Sequence, residues 1–416
     1  MSKIRIKNFG PIKEGFTEGD GFIDVKKVTV FIGNQGSGKS TVAKLITTFL
    51  WIEKALTRGD YDKKWFTRKN KLKNQFLGYF RMENYLPEID KGNTYIEYVG
   101  DSFIIKFEKD TLAIEEVKNK QYPLPQIMYV PAERNFISYV KNTKELKIAS
   151  ESLREFLIEF EKAKEEIKGT IKLPINNVDL VYDKQNDILH IKGKVKDDDY
   201  KVRLVEASSG FQSTVPLYLV SMYLASNVKK QSLSPSEPMS NDELERFKKR
   251  AADILSNDSL SYEQQRAAIS VLSNKFNKMA FINIVEEPEQ NLFPSSQKSM
   301  LESLLEFNNM NEGNKLIMTT HSPYLINYLT LTVKAETVKL KLNSQNSLAK
   351  LAKIVPLQST IKSDDLVIYE LNEIDGTIKK LEDYNGLPSD ENYLNNGLED
   401  SNELFAQLQE LEKGWR

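Results

Sequence analysis

The chain has 416 residues, 58 Lys plus Arg against 59 Asp plus Glu, no cysteine, and two histidines, His190 and His321. That composition excludes a disulfide scaffold, a thiol nucleophile, an iron–sulfur cluster and a Cys-based zinc site, and it confines any catalytic triad or His-rich metal centre to two imidazoles. A net charge of −1 argues against a protein that coats nucleic acid through bulk charge. The start lacks the apolar core of a secretory signal and residues 215–225 are too short to span a bilayer, so the expectation is a soluble, cytoplasmic, globular chain without a membrane partner.

In chain order, residues 3–8 alternate like a strand, with Ile4 and Ile6 on one side, and residues 27–32 form an apolar strand. Val42, Leu45, Ile46, Phe49 and Leu50 then recur at helical spacing and predict a helix over 41–56. Between Lys54 and Arg81 nine basic residues face only Asp60 and Asp62, with Trp65, Phe66 and Phe76 interleaved. A charged run is usually a solvated face, but the aromatic rings keep a nucleic-acid or partner surface open. Residues 94–117 read as an antiparallel meander, 126–130 as a buried strand, and 151–168 as an amphipathic helix far too short for a long coiled-coil arm. A second meander spans 171–204, and a helix spans 215–227. A loop at 231–241 then leads to polar helices at 242–255 and 262–278. From Asp364 onward fourteen acidic residues face Lys379, Lys380, Lys413 and Arg416, around a hairpin at 374–377; a solvated face is the preferred reading there.

Four segments carry chemistry. Gly33-Asn34-Gln35-Gly36-Ser37-Gly38-Lys39-Ser40, followed by Thr41, satisfies the phosphate-loop pattern in full, between an apolar strand and a helix. Glycines let backbone N–H groups curl around phosphate, the helix N-terminus adds donors, Lys39 reaches the outer phosphates and the Ser40 hydroxyl can hold Mg2+. Residues 281–285 are a buried-strand pattern ending in Glu286-Glu287-Pro288. One carboxylate there can hold the metal and the other can orient or deprotonate the attacking water. Because side chains alternate, the strand has to end near Glu286 for both to face the nucleotide. Residues 315–318 lead into Thr319-Thr320-His321, which places one imidazole at a second strand end, whereas His190 in a meander reads as structural. Ser208-Ser209-Gly210-Phe211-Gln212 opens a helix and offers donors to an anion.

In this order, and with Asn8-Phe9-Gly10-Pro11, the motifs resemble the ATP-binding-cassette class of P-loop ATPases over residues 1–330. They are similar to its soluble branch of RecF, Rad50 and structural-maintenance heads and the OLD-like ATPases. Val130-Pro131-Ala132-Glu133-Arg134 and Glu286-Glu287-Pro288-Glu289-Gln290-Asn291-Leu292 point to the OLD-like side. The resemblance implies an α/β P-loop head with an antiparallel meander lobe and helical insertions, binding ATP and Mg2+ between two protomers. Gly33, Asn34, Gln35, Gly36, Ser37, Gly38, Lys39, Ser40 and Thr41 would cradle the nucleotide, with Ser40 and Glu286 on the metal. Glu287 would be the base, His321 the switch histidine, and Ser208, Ser209, Gly210 and Gln212 the signature closing on a partner's nucleotide. Glu289 to Leu292 would be the D-loop, and Gln126 and Arg134 are two candidates for the Q-loop position.

The implied organisation is an N-terminal lobe (1–140), a short arm (141–170), a second meander with the signature (171–228), a helical insertion (229–280), a C-terminal lobe (281–335) and an extension (336–416). OLD nucleases carry a TOPRIM domain whose pattern is not found after His321. The chain therefore resembles the TOPRIM-less ATPase subunits of bacterial phage-defence systems such as PARIS. That implies a sensor that dimerises on ATP and controls a separately encoded nuclease or toxin, triggered by nucleic acid or a phage protein. The rival is a RecF-like or Rad50-like repair ATPase that binds DNA directly, motivated by the basic run.

Overall fold

The computed structural model describes residues 2–87, 92–117, 122–140, 150–196, 198–233, 241–257, 264–265, 272 and 278–413. Five parallel strands form its centre, in the spatial order Leu366–Leu371, Val28–Gly33, Lys315–Thr319, Ala280–Glu286 and Pro125–Val130. Thr377–Lys380 and Gly15–Phe16 extend one edge. Val28–Gly33 and Ala280–Glu286 are buried at every residue, which is why they read as mostly apolar runs, interrupted by Thr29 and Asn283.

Alternation still divides the side chains between two layers. Val30, Val130, Phe281 and Val285 pack against the helices Ser209–Leu233, Pro294–Asn309 and Pro323–Lys339. Phe31, Tyr129, Ile282 and Ile284 face the helix Lys39–Arg58 and an antiparallel sheet. That sheet has the order Ile23–Asp24, Lys3–Lys7, Tyr95–Val99, Phe103–Glu108, Thr111–Glu116, and it contains the first meander read from sequence. A four-stranded sheet from Thr170–Lys172 to Asp198–Arg203 is the second meander. The architecture is the expected α/β P-loop head.

Some elements differ from expectation. The helix placed at 215–227 begins at Ser209 and continues to Leu233, through Pro216. Proline removes the N–H that would bond Gln212, and that carbonyl instead accepts from Ser138 Oγ at 3.2 Å. Leu366–Leu371, in the segment read as an extension, is a strand beside Val28–Gly33, and the acidic tail winds into a helix, Tyr393–Lys413. The polar helix at 242–255 is present as Asn241–Leu255, whereas that at 262–278 lies largely outside the described residues, as does 141–149 of the arm. No helix among the described residues is long and apolar enough to cross a membrane.

One buried carboxylate ties the antiparallel sheet to the helix after the phosphate loop. Glu53, 1% exposed, accepts from Tyr98 Oη at 2.8 Å and from the N–H groups of Ser102 at 2.7 Å and Phe103 at 3.2 Å. Burial raises its pKa while these donors oppose the shift. Glu53→Ala strands three donors, two of them buried, so it should lower stability by about 3 kcal/mol. Urea unfolding followed by circular dichroism measures that loss.

Candidate active site

The site lies at the carboxyl ends of the parallel strands. Gly33 closes the strand Val28–Gly33 with φ 143°, and a Cβ there would sit 2.3 Å from the Leu371 carbonyl oxygen. Gly38, at φ 101°, precedes the helix, and a Cβ would press on Pro11 and Ile12 at 3.1 Å. The loop can take this path only with glycine at those positions. Lys39 is nearly buried and its Nζ donates to the carbonyls of Gly33 at 2.9 Å and Asn34 at 2.8 Å. Burial pulls its pKa down to about 8, against the upward pull of Glu287, Glu289, Glu373 and Glu286. Ser37 is buried, while Asn34, Gln35 and Gly36 are exposed. Asn34 Nδ2 donates to Glu373 Oε1 at 2.9 Å, which also accepts from Tyr393 Oη at 3.0 Å.

The acidic pair solves its alternation problem in the backbone. The strand ends at Glu286, and Glu287 adopts a left-handed φ of 44°, with its N–H donating to Thr319 O at 2.9 Å. Non-glycine residues enter that region at a cost and persist where their surroundings hold them. Glu286, 5% exposed, accepts from the Ala132 N–H at 3.2 Å through Oε2. Its Oε1 is buried without a hydrogen bond, 4.0 Å from Lys44 Nζ. The Glu287 carboxylate stays partly open, 3.7 Å from His321 Nε2. Burial and then Lys39 lower the His321 pKa, with Glu287 opposing, so the imidazole is neutral near pH 7. Glu289 Oε1 accepts from Thr320 Oγ1 and the His321 N–H, both at 2.7 Å, which fixes the histidine's backbone. His190 lies in the strand Ile188–Val195, well away from these groups.

Two residues read as nucleotide contacts are turned inward. Arg134 is fully buried and donates to Glu286 O at 2.7 Å, Glu287 O at 2.6 Å, Ser213 O at 3.2 Å and Pro131 O at 3.3 Å. It braces the acidic turn rather than facing phosphate. Gln212 donates to the carbonyls of Val205 and Ala207 at 3.0 and 3.1 Å and accepts from Tyr139 Oη, which uses both ends of its amide. Gln126 stands near the start of its strand, at the far end from the site.

The remaining signature residues form a separate surface. Ser208 and Ser209 are exposed at the start of their helix, and no hydrogen bond joins Ser208, Ser209 or Gly210 to the phosphate loop. Gly210 and, one turn on, Ser213 pack on the Glu289–Leu292 turn instead. Asn291 Nδ2 donates to Ser213 Oγ at 3.1 Å, and a Cβ on Gly210 would meet Asn291 O at 2.9 Å. The structure thus gathers the phosphate loop, Glu286, Glu287 and His321 and leaves the signature apart.

The profile of the AAA ATPase domain family matches residues 81–326, more than half of the chain. The chain belongs to the AAA ATPase domain family. The phosphate loop at 33–40 precedes the matched segment, so motif and family match are separate observations. Among solved structures, the SMC head domain from Thermotoga maritima is similar at 11% identity and TM-score 0.38, covering 92% of this chain and 98% of that one. An Smc head bound to a ScpA domain from Pyrococcus furiosus, also at 11% identity, has TM-score 0.32 and covers 98% and 100%. An ATP-binding cassette dimer with ADP and Pi has TM-score 0.31 at 11% identity, covering 92% and 100%. No curated protein matches.

In this ATPase, sequence reasoning missed Lys44, Glu373 and the bracing role of Arg134. Their partners lie in distant segments, and none carries a local pattern that marks it.

Arg134→Lys replaces a planar fork by a single nitrogen that cannot span the carbonyls of Ser213, Glu286 and Glu287. We expect kcat to fall by about tenfold or more with nucleotide Kd changed less than about threefold, read from steady-state hydrolysis beside calorimetric binding. Lys39 gives a pH signature. Phosphate favours its ammonium form, so above pH 8 binding should take up a proton and weaken as pH rises. Calorimetry in buffers of different ionisation enthalpy should find uptake near pH 9 and almost none at pH 7.

Proposed function

We propose that two copies of this ATPase sandwich Mg·ATP, hydrolyse it slowly, and use the dimer state to control a separate effector. One observation carries the composite-site reading: the exposed Ser208-Ser209 helix start and the exposed phosphate loop each present anion-binding donors, yet they do not meet within one chain. A second copy is the simplest source of the missing half.

The donor set suits Mg2+. Glu286 keeps one buried carboxylate oxygen without a hydrogen bond, and Ser40 opens the helix after the loop. Among the described residues no three His, Cys, Asp or Glu side chains cluster as a cage, which leaves phosphate and water oxygens as the other ligands of a hard cation. Ser40 and Glu286 would hold the ion, which neutralises phosphate charge when bound. Glu287 then takes the proton of the attacking water, and His321 beside it donates toward the γ-phosphate. Gly33 to Thr41 cradle the phosphates.

The OLD-like Val130-Pro131-Ala132-Glu133-Arg134 and Glu286 to Leu292 segments support placing the chain in a cytoplasmic bacterial phage-defence system, whose effector is a separately encoded nuclease or toxin. A nucleic acid or a phage protein would be the trigger. The repair-ATPase reading stays as the second, favoured by the basic segment beside the aromatic rings.

Glu287→Gln removes the base and keeps the shape. Hydrolysis should fall by about 100-fold or more while ATP binding persists. Light scattering should then show an ATP-dependent dimer; unchanged hydrolysis would refute the assignment of Glu287.

A further inference from the structure

The basic, aromatic segment has a cavity that the nucleotide site does not use. About 330 Å³ opens between the helix Lys39–Arg58, the residues after it, the strand Pro125–Val130 and the helix Glu151–Glu165. This is within the size range of small-ligand sites. Its walls are rings: Trp51, Tyr61, Trp65, Phe76 and Tyr79, with Tyr129 at the floor. Tyr61 and Trp65 stack on each other with ring centres 4.0 Å apart, and Trp51, 40% exposed, is the ring that leaves surface open to a ligand. The π-helical turn Leu72–Leu77 carries Gln75 and Phe76 into the wall. One carboxylate, Glu155, joins the lining and accepts from Tyr79 Oη.

The segment that brings Trp65 to the cavity is basic: residues 63–73 hold Lys63, Lys64, Arg68, Lys69, Lys71 and Lys73 and no acid, with Lys63 paired to Glu116 at 3.3 Å. The two acids just before them are engaged: Asp60 pairs with Arg58 and with Arg246 at 3.2 Å, and Asp62 caps the Trp65 N–H at 2.7 Å. Lys71 Nζ lies 3.5 Å from the centre of the Trp65 ring. A small cation would meet this positive segment, and a purely apolar ligand would ignore it. A flat ring carried on a polyanion satisfies both features, and Glu155 and Gln75 can bond the polar edge of that ring.

We infer that the cavity is a second ligand site, which stacks an unpaired nucleobase while the lysine-rich segment holds the backbone of a single-stranded nucleic acid. Duplex bases cannot enter, because their faces are already stacked. The floor gives occupancy a route to the active site. Tyr129 packs on Phe80 with ring centres 4.9 Å apart, and on the adjoining strand it shares the face of Ile284 and Glu286. Only this last step, the coupling to hydrolysis, rests on the ATPase mechanism proposed above; binding does not.

Two of the three tryptophans line the cavity, so stacking is directly visible. Adding a short single-stranded DNA of mixed sequence to the full chain should quench intrinsic fluorescence. Anisotropy of the labelled strand should report binding that weakens with salt. Trp51→Ala, on an exposed ring, should weaken it about tenfold, as should Glu155→Gln combined with Trp65→Leu. Lys39→Ala should bind the strand as the wild type does, and the strand should change wild-type ATP hydrolysis. Equal affinity for Trp51→Ala, for a duplex of the same sequence, or for free mononucleotides added to the Lys39→Ala chain would overturn the site. Strand binding with no hydrolysis under any condition would instead overturn the proposed function and leave the site standing.

Discussion

The arrangement depends on one buried guanidinium. Arg134 gives its N–H groups to carbonyls from the Glu286–Glu287 turn, from Ser213 on the signature helix and from its own Pro131 turn. Burying a charge without compensation costs several kcal/mol, and the carbonyls would be costly if left unpaired. Each therefore needs the other, and that mutual need holds Glu287 in a left-handed conformation that a glutamate does not choose by itself. Burial pulls the Arg134 pKa down to about 10, and Glu289, Glu287 and Glu286 resist, so the side chain stays charged at neutral pH.

From this brace the fold works outward in two directions. Toward the phosphate loop, the left-handed turn leaves the Glu287 carboxylate 3.7 Å from His321, whose own backbone is held by Glu289. Toward the signature, Ser213 binds both Arg134 and Asn291, so the helix start cannot shift without moving the turn that carries the acids. A change at the surface proposed to meet a second copy would thereby reach the turn that carries Glu286 and Glu287. The helix Asn241–Leu255 makes a comparable link at the far end of the phosphate-loop helix, where Arg250 binds the carbonyls of Arg58 and Gly59.

What the sequence makes legible follows from how local each signal is. The phosphate loop is one contiguous run whose glycines and lysine act through neighbouring backbone, and the structure places them together. The need for a break after Glu286 could be reasoned from alternation, but not its form, because a left-handed glutamate is imposed by tertiary contacts. Arg134 was legible as a candidate for the Q-loop position, not as a brace of the acidic turn. Its acceptors are backbone carbonyls, which have no residue type to read. Leu366–Leu371 is strand-like in composition, yet its parallel pairing with Val28–Gly33 spans most of the chain and leaves no local trace. The acidic tail shows a similar gap. Leu404, Phe405, Leu408 and Leu411 are exposed along its helix, a spacing that the count of carboxylates concealed.

The central claim is that the two halves of the site come from two chains. Mixing two inactive variants tests it most directly. Lys39→Ala removes one half and Ser209→Arg blocks the other, so each variant alone should hydrolyse almost nothing. In a mixed dimer, the phosphate loop of the Ser209→Arg chain meets the intact signature of the Lys39→Ala chain, and one of the two sites is whole. The account predicts that equimolar mixing restores a substantial fraction of wild-type hydrolysis. A mixture as inactive as its components, with mixed dimers shown to form, would contradict it.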